Sequence, residues 1–291
     1  YYLHPNGEIV TEASGRQDHS RIGTLENYYY PFRYMALKTG DGQFAAACKL
    51  IEETCFRKTT GFLYYFLEDP SLWEELPASK ALPVNYAKEF RNSNLIRVRR
   101  GDYDASILSD STVFFTFHKK ELVLQGMRFA SAFFGKGQFS ADSCKVENGK
   151  YILTSELTGP YYQPFAKENI PGDGVWAKMP RSQRQQSEIQ KLYSTVTIQE
   201  EGDGFSIDIA ITGTDNVPVA LELIFRPGGS FSGTVPHEGM EEYTGNGSSI
   251  NFGPGLYRHK WVAIRGALPK MDAPTAFLTG TTPFHHSIKI S

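Results

Sequence analysis

The sequence predicts a mainly β protein: a large antiparallel, multi-sheet β-sandwich preceded by a short helical segment. Three observations carry this. Up to about Trp73–Leu76 the apolar residues recur at helical spacing, whereas from about Asn94 to Ile290 they alternate in short runs separated by Gly, Asn, Asp and Pro. Phe205-Ser206-Ile207-Asp208-Ile209-Ala210-Ile211 shows the second rhythm plainly, and a period of two sends its apolar side chains to one sheet face. Roughly two hundred residues of this rhythm are too many for a small barrel and suit stacked sheets. The division that follows is 1–83 for the helical segment with its linker and 84–291 for the sandwich.

Taken in order, Pro5-Asn6-Gly7 between extended residues predicts a tight turn, and Ser14–Arg21 reads as a polar loop. Helices are expected over Glu26–Lys38, around the Pro31 break, and over Gly42–Arg57, where Phe44, Ala47, Cys48, Ile51 and Cys55 make one apolar stripe. Shorter helices are expected at Gly61–Leu67 and Ser71–Leu76, split by Asp69-Pro70, with Ser71 as the cap. Pro77–Pro83, with prolines at both ends, reads as the linker. The expected strands are Leu95–Arg99, Val113–Phe117, Leu122–Phe134, Tyr151–Glu156, Ser194–Glu200, Phe205–Ile211, Ala220–Phe225, His259–Arg265 and Thr275–Leu278. Gly159–Gln186 is an irregular stretch with four prolines, long enough to suggest a functional loop. Asn246-Gly247 is first a hairpin turn, although Asn246-Gly247-Ser248 also fits a glycosylation acceptor.

Composition narrows the chemistry. A formal charge of −2 gives no electrostatic case for nucleic acid. No apolar run approaches the ~18–20 residues of a membrane span. The chain opens at Tyr1 without Met or a signal pattern, which reads as a processed chain or a fragment and leaves the compartment unreadable from this end. Its three cysteines match no zinc spacing. Cys48 and Cys55, seven positions apart on a helix, stand ~10 Å apart along its axis, too far to bridge, so free thiols are expected. No cofactor is expected; an oxygen-ligated Ca²⁺ leaves little sequence trace and stays open.

Candidate binding chemistry concentrates in three places. Arg97-Val98-Arg99-Arg100-Gly101-Asp102-Tyr103 puts Arg97 and Arg99 on one strand face, ~6–7 Å apart, opposite Ile96 and Val98. Two guanidiniums at that spacing suit the carboxylates of an acidic chain, and a solvated strand face is the alternative. Arg100-Gly101-Asp102 spells an adhesion tripeptide but sits where a hairpin turn belongs. Arg16-Gln17-Asp18-His19, followed by Tyr28-Tyr29-Tyr30 and Arg33, supplies the ingredients of proton transfer, with His19 and Tyr30 as candidate catalytic groups and Arg16 as a substrate contact. A solvated loop before an aromatic helix is the other reading. His259, Trp261 and Arg265 alternate onto one face of an expected strand, a composition found in sugar clefts as well as in cores. His285-His286 point to opposite faces and His118 is expected in a turn, so neither suggests a metal site. Gly135-Lys136-Gly137 reads as a turn.

Ser93–Tyr103, Phe129-Ala130-Ser131-Ala132-Phe133-Phe134-Gly135-Lys136-Gly137-Gln138-Phe139, Arg265-Gly266-Ala267-Leu268-Pro269-Lys270 and Thr279–Phe284 together resemble the β-sandwich portion of heparinase II/III-like proteins. Members of that group are bacterial polysaccharide lyases and their relatives, an α/α toroid followed by a large antiparallel sandwich. The resemblance implies that Tyr1–Leu76 holds the last helices of a toroid, and it implies a periplasmic or extracellular setting and an acidic, uronate-containing glycan as substrate. Such lyases neutralise the uronate carboxylate, remove the C5 proton and protonate the leaving oxygen, mostly with residues of the toroid body. No catalytic motif matches residue by residue. His19 and Tyr30, and the contacts Arg16, Arg97, Arg99, Tyr103, Trp261 and Arg265, are therefore chosen for their chemistry and place. A non-catalytic carbohydrate-binding module and a structural surface β-protein are the other function classes.

Overall fold

The computed structural model describes residues 1–14, 23–54, 63–233 and 238–291. At Pro5-Asn6-Gly7 the expected turn is present: Gly7 sits at φ +83° and its N–H donates to the His4 carbonyl at 3.0 Å. Strand β1 (Glu8–Ile9) follows and pairs with β2 (Gly23–Thr24). A 3-10 turn at Glu26–Tyr28 then leads into α1 (Tyr29–Thr39), with Pro31 in the first turn, where no amide hydrogen is required. Helix α1 stops at left-handed Gly40, whose N–H caps the Ala36 carbonyl. Along α2 (Gly42–Thr54) the expected stripe buries Ala47, Cys48 and Ile51; Cys55 lies outside the described residues. Burial pushes the Cys48 thiol up to about 12, so it is an inert core thiol. After α3 (Leu63–Glu68) a 3-10 turn spans Pro70–Trp73, and its cap is Asp69 rather than Ser71: the Asp69 carboxylate accepts the Ser71 N–H at 3.1 Å, with Pro70 at the first position.

Residues 77–83 hold neither helix nor strand, as a linker should. They press on the start of α2, where Lys80 N–H meets the Gly42 carbonyl at 2.9 Å; a Cβ on Gly42 would stand 2.2 Å from the Ala78 oxygen. Thereafter the chain is strand. In order these are β3 (Asn85–Phe90), β4 (Leu95–Arg100), β5 (Tyr103–Leu108), β6 (Phe115–Lys119), β7 (Leu122–Ser131), β8 (Ser143–Glu147), β9 (Lys150–Tyr162) and β10 (Gln186–Glu201). Then come β11 (Gly204–Gly213), β12 (Pro218–Phe225), β13 (Ser230–Phe231), β14 (Glu241–Gly245), β15 (Ser248–Gly253), β16 (Thr275–Thr281) and β17 (Phe284–Ile290).

Two antiparallel sheets result, one of seven strands in the order β16-β12-β7-β6-β5-β4-β3 and one of eight in the order β13-β14-β15-β17-β11-β10-β9-β8. Phe205, Ile207, Ile209 and Ile211 are all buried, as their alternation requires. Across the layers the rings of Phe115 and Phe117 stand 5.3 and 6.1 Å from Phe205. Phe225 packs on Tyr243 and Phe252 at 4.6 and 5.1 Å. Asn246 and Gly247, at φ +49° and +70°, make the two-residue turn between β14 and β15. Among the described residues no helix is long and apolar enough to cross a membrane.

One expected strand is absent. Tyr257 makes one parallel bridge to Thr279 of β16, His259 hydrogen-bonds Thr279 and the Gly280 carbonyl, and the chain then leaves the sheet without forming a strand. Trp261-Val262-Ala263-Ile264 is a continuous apolar run, not an alternation, and of its residues only Ile264 is buried. Nor is His118 in a turn; it lies within β6, 4 % exposed.

Candidate functional site

The polar residues of the seven-stranded sheet line up by register. Arg97 pairs with Ser106 and Ser106 with Thr116; Arg99 pairs with Asp104 and Asp104 with His118. Because Ile96, Val98, Ala105, Ile107 and Phe117 face the sandwich core, these polar side chains share the opposite face. Such a face is ordinarily wet. Here residues 1–14 lie across it and bring His4 and Glu12 down onto it, both buried.

Their contacts close a charged cage. Arg97 Nη2 donates to Asp104 Oδ2 at 2.7 Å, while Nη1 donates to Oδ1 at 3.2 Å and to Ser106 Oγ at 2.7 Å. Glu12 Oε1 accepts from Ser106 Oγ at 3.1 Å and from Thr116 Oγ1 at 2.8 Å. His4 Nδ1 lies 3.0 Å from Asp104 Oδ1, and the His4 ring stacks on His118 with centres 3.6 Å apart and planes 6° apart. Burial opposes a charge on His4, but Asp104 and Glu12 outweigh it and raise its pKa to about 9. Burial likewise opposes both carboxylates. Arg97 and His4 nonetheless hold Asp104 well below the usual carboxylate range, and the His118 and His4 rings, 3.7 and 3.5 Å from its oxygens, do the same for Glu12. Burial, reinforced by the neighbouring His4 charge, keeps His118 neutral by lowering its pKa. Two cations thus face two anions around a neutral imidazole.

His4, Asp104 and His118 also present ligand atoms within 4.8 Å of one another. Residues so distant in sequence show no ligand spacing, so no local pattern marks them as a group. The Arg97 guanidinium already engages both Asp104 oxygens and would stand beside any bound cation. An internal ion-pair cage is the chemistry this donor set fits best.

The expected site residues scatter. Arg97 is 0 % exposed, so the open pair of guanidiniums expected on β4 is not there: its side chain is enclosed by the residues that cover the sheet. Arg99 is half-buried, donates to the Gly101 and Leu3 carbonyls, and borders a cleft of about 370 Å³ with His4, Lys49 and Glu53. Tyr103 turns to the other face, packing 5.6 Å from Phe117 and 6.4 Å from Phe205, so its ring belongs to the core margin. Tyr30 stacks on Tyr65 at 4.2 Å within the helical segment. Arg16 and His19 lie outside the described residues. Trp261 is half-exposed, its indole N–H on the Ala263 carbonyl at 2.9 Å, and Arg265 is exposed in the same irregular segment. His285 and His286 reach different partners, Asp208 and the Pro254 carbonyl.

A second, open arrangement sits on the stretch that was expected to be an irregular functional loop. Strands β9 and β10 run on to Tyr162 and from Gln186, and 163–185 joins them through short 3-10 turns. Arg184 is the hub of this connection. Its Nε donates to the Gln163 carbonyl at 3.1 Å, and its guanidinium carbon lies 5.1, 5.3 and 5.7 Å from the ring centres of Tyr162, Phe165 and Trp176. Tyr162 and Trp176 are 42 and 50 % exposed, too open to be core aromatics. The signal available in the sequence was four aromatics inside an otherwise polar, Pro- and Gly-rich stretch. Exposed aromatic faces around a cation offer stacking to the apolar face of a sugar ring and charge to a carboxylate. Compared with known proteins, the sequence matches no family model and no curated protein sequence.

Proposed function

We propose that this chain is the C-terminal, glycan-facing part of a polysaccharide lyase-like protein acting on acidic, uronate-containing glycans by β-elimination. The observation that carries the glycan half of this reading is the Arg184-centred group of exposed rings on the β9–β10 connection. The lyase half is supported by the family resemblance. In it, His19 and Tyr30 remain the proton-transfer candidates, and Arg16 and Arg99 the contacts for the uronate at the boundary between helices and sandwich. Arg97 belongs to the internal cage and contributes indirectly, by fixing residues 1–14 on the sheet. A non-catalytic carbohydrate-binding role is the second reading, favoured by the enclosure of His4, Arg97 and His118, which leaves those groups out of a substrate's reach.

Calorimetric titration with a uronate oligosaccharide and with its carboxyl-reduced counterpart tests the proposal. The acidic form is expected to bind more tightly, and Trp176→Ala to weaken binding about tenfold through loss of one stacking face. Ultraviolet absorbance of a C4–C5 unsaturated product reads the lyase chemistry. Binding without product favours the second reading; equal, negligible binding of both sugars removes the glycan proposal.

A further inference from the structure

Two of the segments on which the family resemblance rests, Phe129–Phe139 and Arg265–Lys270, meet in the folded molecule. Gln138 Oε1 accepts the Leu268 N–H at 3.0 Å while its Nε2 donates to the Phe129 carbonyl at 3.0 Å. Gly266, at φ +90°, lies so close to Gly135 that a Cβ would stand 2.5 Å from the Gly135 carbonyl carbon, and a Cβ on Gly137 would stand 1.7 Å from the Ser131 oxygen. This close fit brings Arg265 beside the Phe134-Gly135 turn, its Nε 3.8 Å from the point where a Gly135 Cβ would lie.

Phe134 is the anomaly of this junction. It is held at φ +51°, a region a bulky side chain enters only at a cost, yet its ring is 41 % exposed, so burial does not offset that cost. The ring lies over Gly159, where a Cβ would fall 2.1 Å from a ring carbon, and meets the exposed Tyr161 edge-on at 5.0 Å. Arg265 is exposed and, among the described residues, makes no hydrogen bond or ion pair; exposed Lys136 follows two positions after Phe134. The result is a fixed pair of aromatic faces next to an unengaged guanidinium.

We propose that Phe134, Tyr161 and Arg265 form a subsite for one anionic pyranose unit, its apolar face on the rings and its carboxylate on Arg265. The assignment rests on the reading of this chain as glycan-facing. It is separate from the Arg184 group, because Tyr161 and Tyr162 are neighbours on β9 and point to opposite sides of the strand. The cation and the positive Lys136 select an acidic sugar over a neutral one, and two ring faces select a ring over an extended peptide.

The test is calorimetry of the whole chain with the uronate oligosaccharide and its carboxyl-reduced counterpart. It compares the parent with Phe134→Gly, Arg265→Gln and Trp176→Ala. Glycine suits the left-handed backbone at 134, so Phe134→Gly is expected to keep its melting temperature while losing about tenfold in affinity. Arg265→Gln is expected to abolish the preference for the charged sugar, leaving neutral binding unchanged. Parent-like affinity and preference in both variants, with loss in Trp176→Ala, would overturn this subsite and leave the glycan reading standing. A parent chain that binds neither sugar would overturn both. If Phe134→Gly melts early, Arg265→Gln alone decides, since its side chain is exposed.

Discussion

Replacing Asp104 by alanine is expected to destabilise the protein by about 3–5 kcal/mol, the largest single-residue effect on the polar face of the sheet. The carboxylate is fully buried and takes both terminal nitrogens of Arg97 as well as the His4 ring. Its removal leaves a buried guanidinium whose remaining hydrogen bond among the described residues is to Ser106, and a protonated imidazole that has lost its main counter-charge. An uncompensated charge in that position costs far more than the intact pair contributes, since desolvation offsets most of the attraction within the pair. The double replacement Asp104→Leu with Arg97→Met is accordingly expected to recover most of the loss. Urea denaturation of the parent, both single variants and the double variant would measure this coupling. A loss under about 1 kcal/mol for Asp104→Ala would mean that the cage behaves as a surface ion pair.

The second large effect is on the dependence of stability on pH. His4 has a folded pKa raised from 6.5 to about 9, so its contribution is complete below 6.5 and disappears as pH rises through 9. That shift corresponds to on the order of 3 kcal/mol. His118 has the opposite sign: its pKa is lowered from 6.5, so its contribution is present above 6.5 and declines as pH falls below it. Glu12 and Asp104, both lowered, contribute above the ordinary carboxylate range and lose that contribution as pH falls through it. Stability should therefore peak near pH 6.5, decline towards 9 on the alkaline side, and decline more steeply below about 4.5, where the two carboxylates join His118. Urea midpoints measured across this range, for the parent and for His4→Gln, check the assignment. His4→Gln should flatten the alkaline limb and keep the acid one; an unaltered alkaline limb would place its origin elsewhere.

Much of the fold could be read from local pattern and much of the site could not. Phe205–Ile211 announces its strand because a single exposed and a single buried face make a strict alternation. Strand β5 is absent from the expected strands although Tyr103-Asp104-Ala105-Ser106-Ile107 alternates, because Asp104 and Ser106 look solvated when their cover is unknown. The burial of Arg97 is hidden for the same reason. The sequence places it correctly, opposite Ile96 and Val98, but polarity predicts water only if nothing else lies on that face. The residue that answers Arg97, Asp104, becomes visible once β4 and β5 are paired through the Gly101-Asp102 turn, with Gly101 at φ +61°. His4 and Glu12 carry no such local clue; their place depends on how residues 1–14 return to the sheet. His259–Arg265 failed as a strand because an unbroken apolar run does not distinguish one face from two. Phe134 and Arg265, by contrast, lie in segments that carry the family resemblance, and only the fold shows that they are neighbours.

The cover over the seven-stranded sheet also has a consequence for the order of assembly. Arg97 and Asp104 are seven residues apart and meet as soon as one hairpin closes, whereas His4 and Asp104 are separated by 100 residues and Glu12 and Thr116 by 104. Loop-closure entropy delays contacts of that span until the strands they rest on are in place. The nascent sheet is thus expected to present a row of hydrated ions, not hydrocarbon, on its unprotected side, which discourages it from pairing with other chains while it waits. The desolvation of those ions is deferred to the final step, when residues 1–14 settle on the sheet and water leaves. The same charges act first as a solubilising surface and afterwards as an interior fastening.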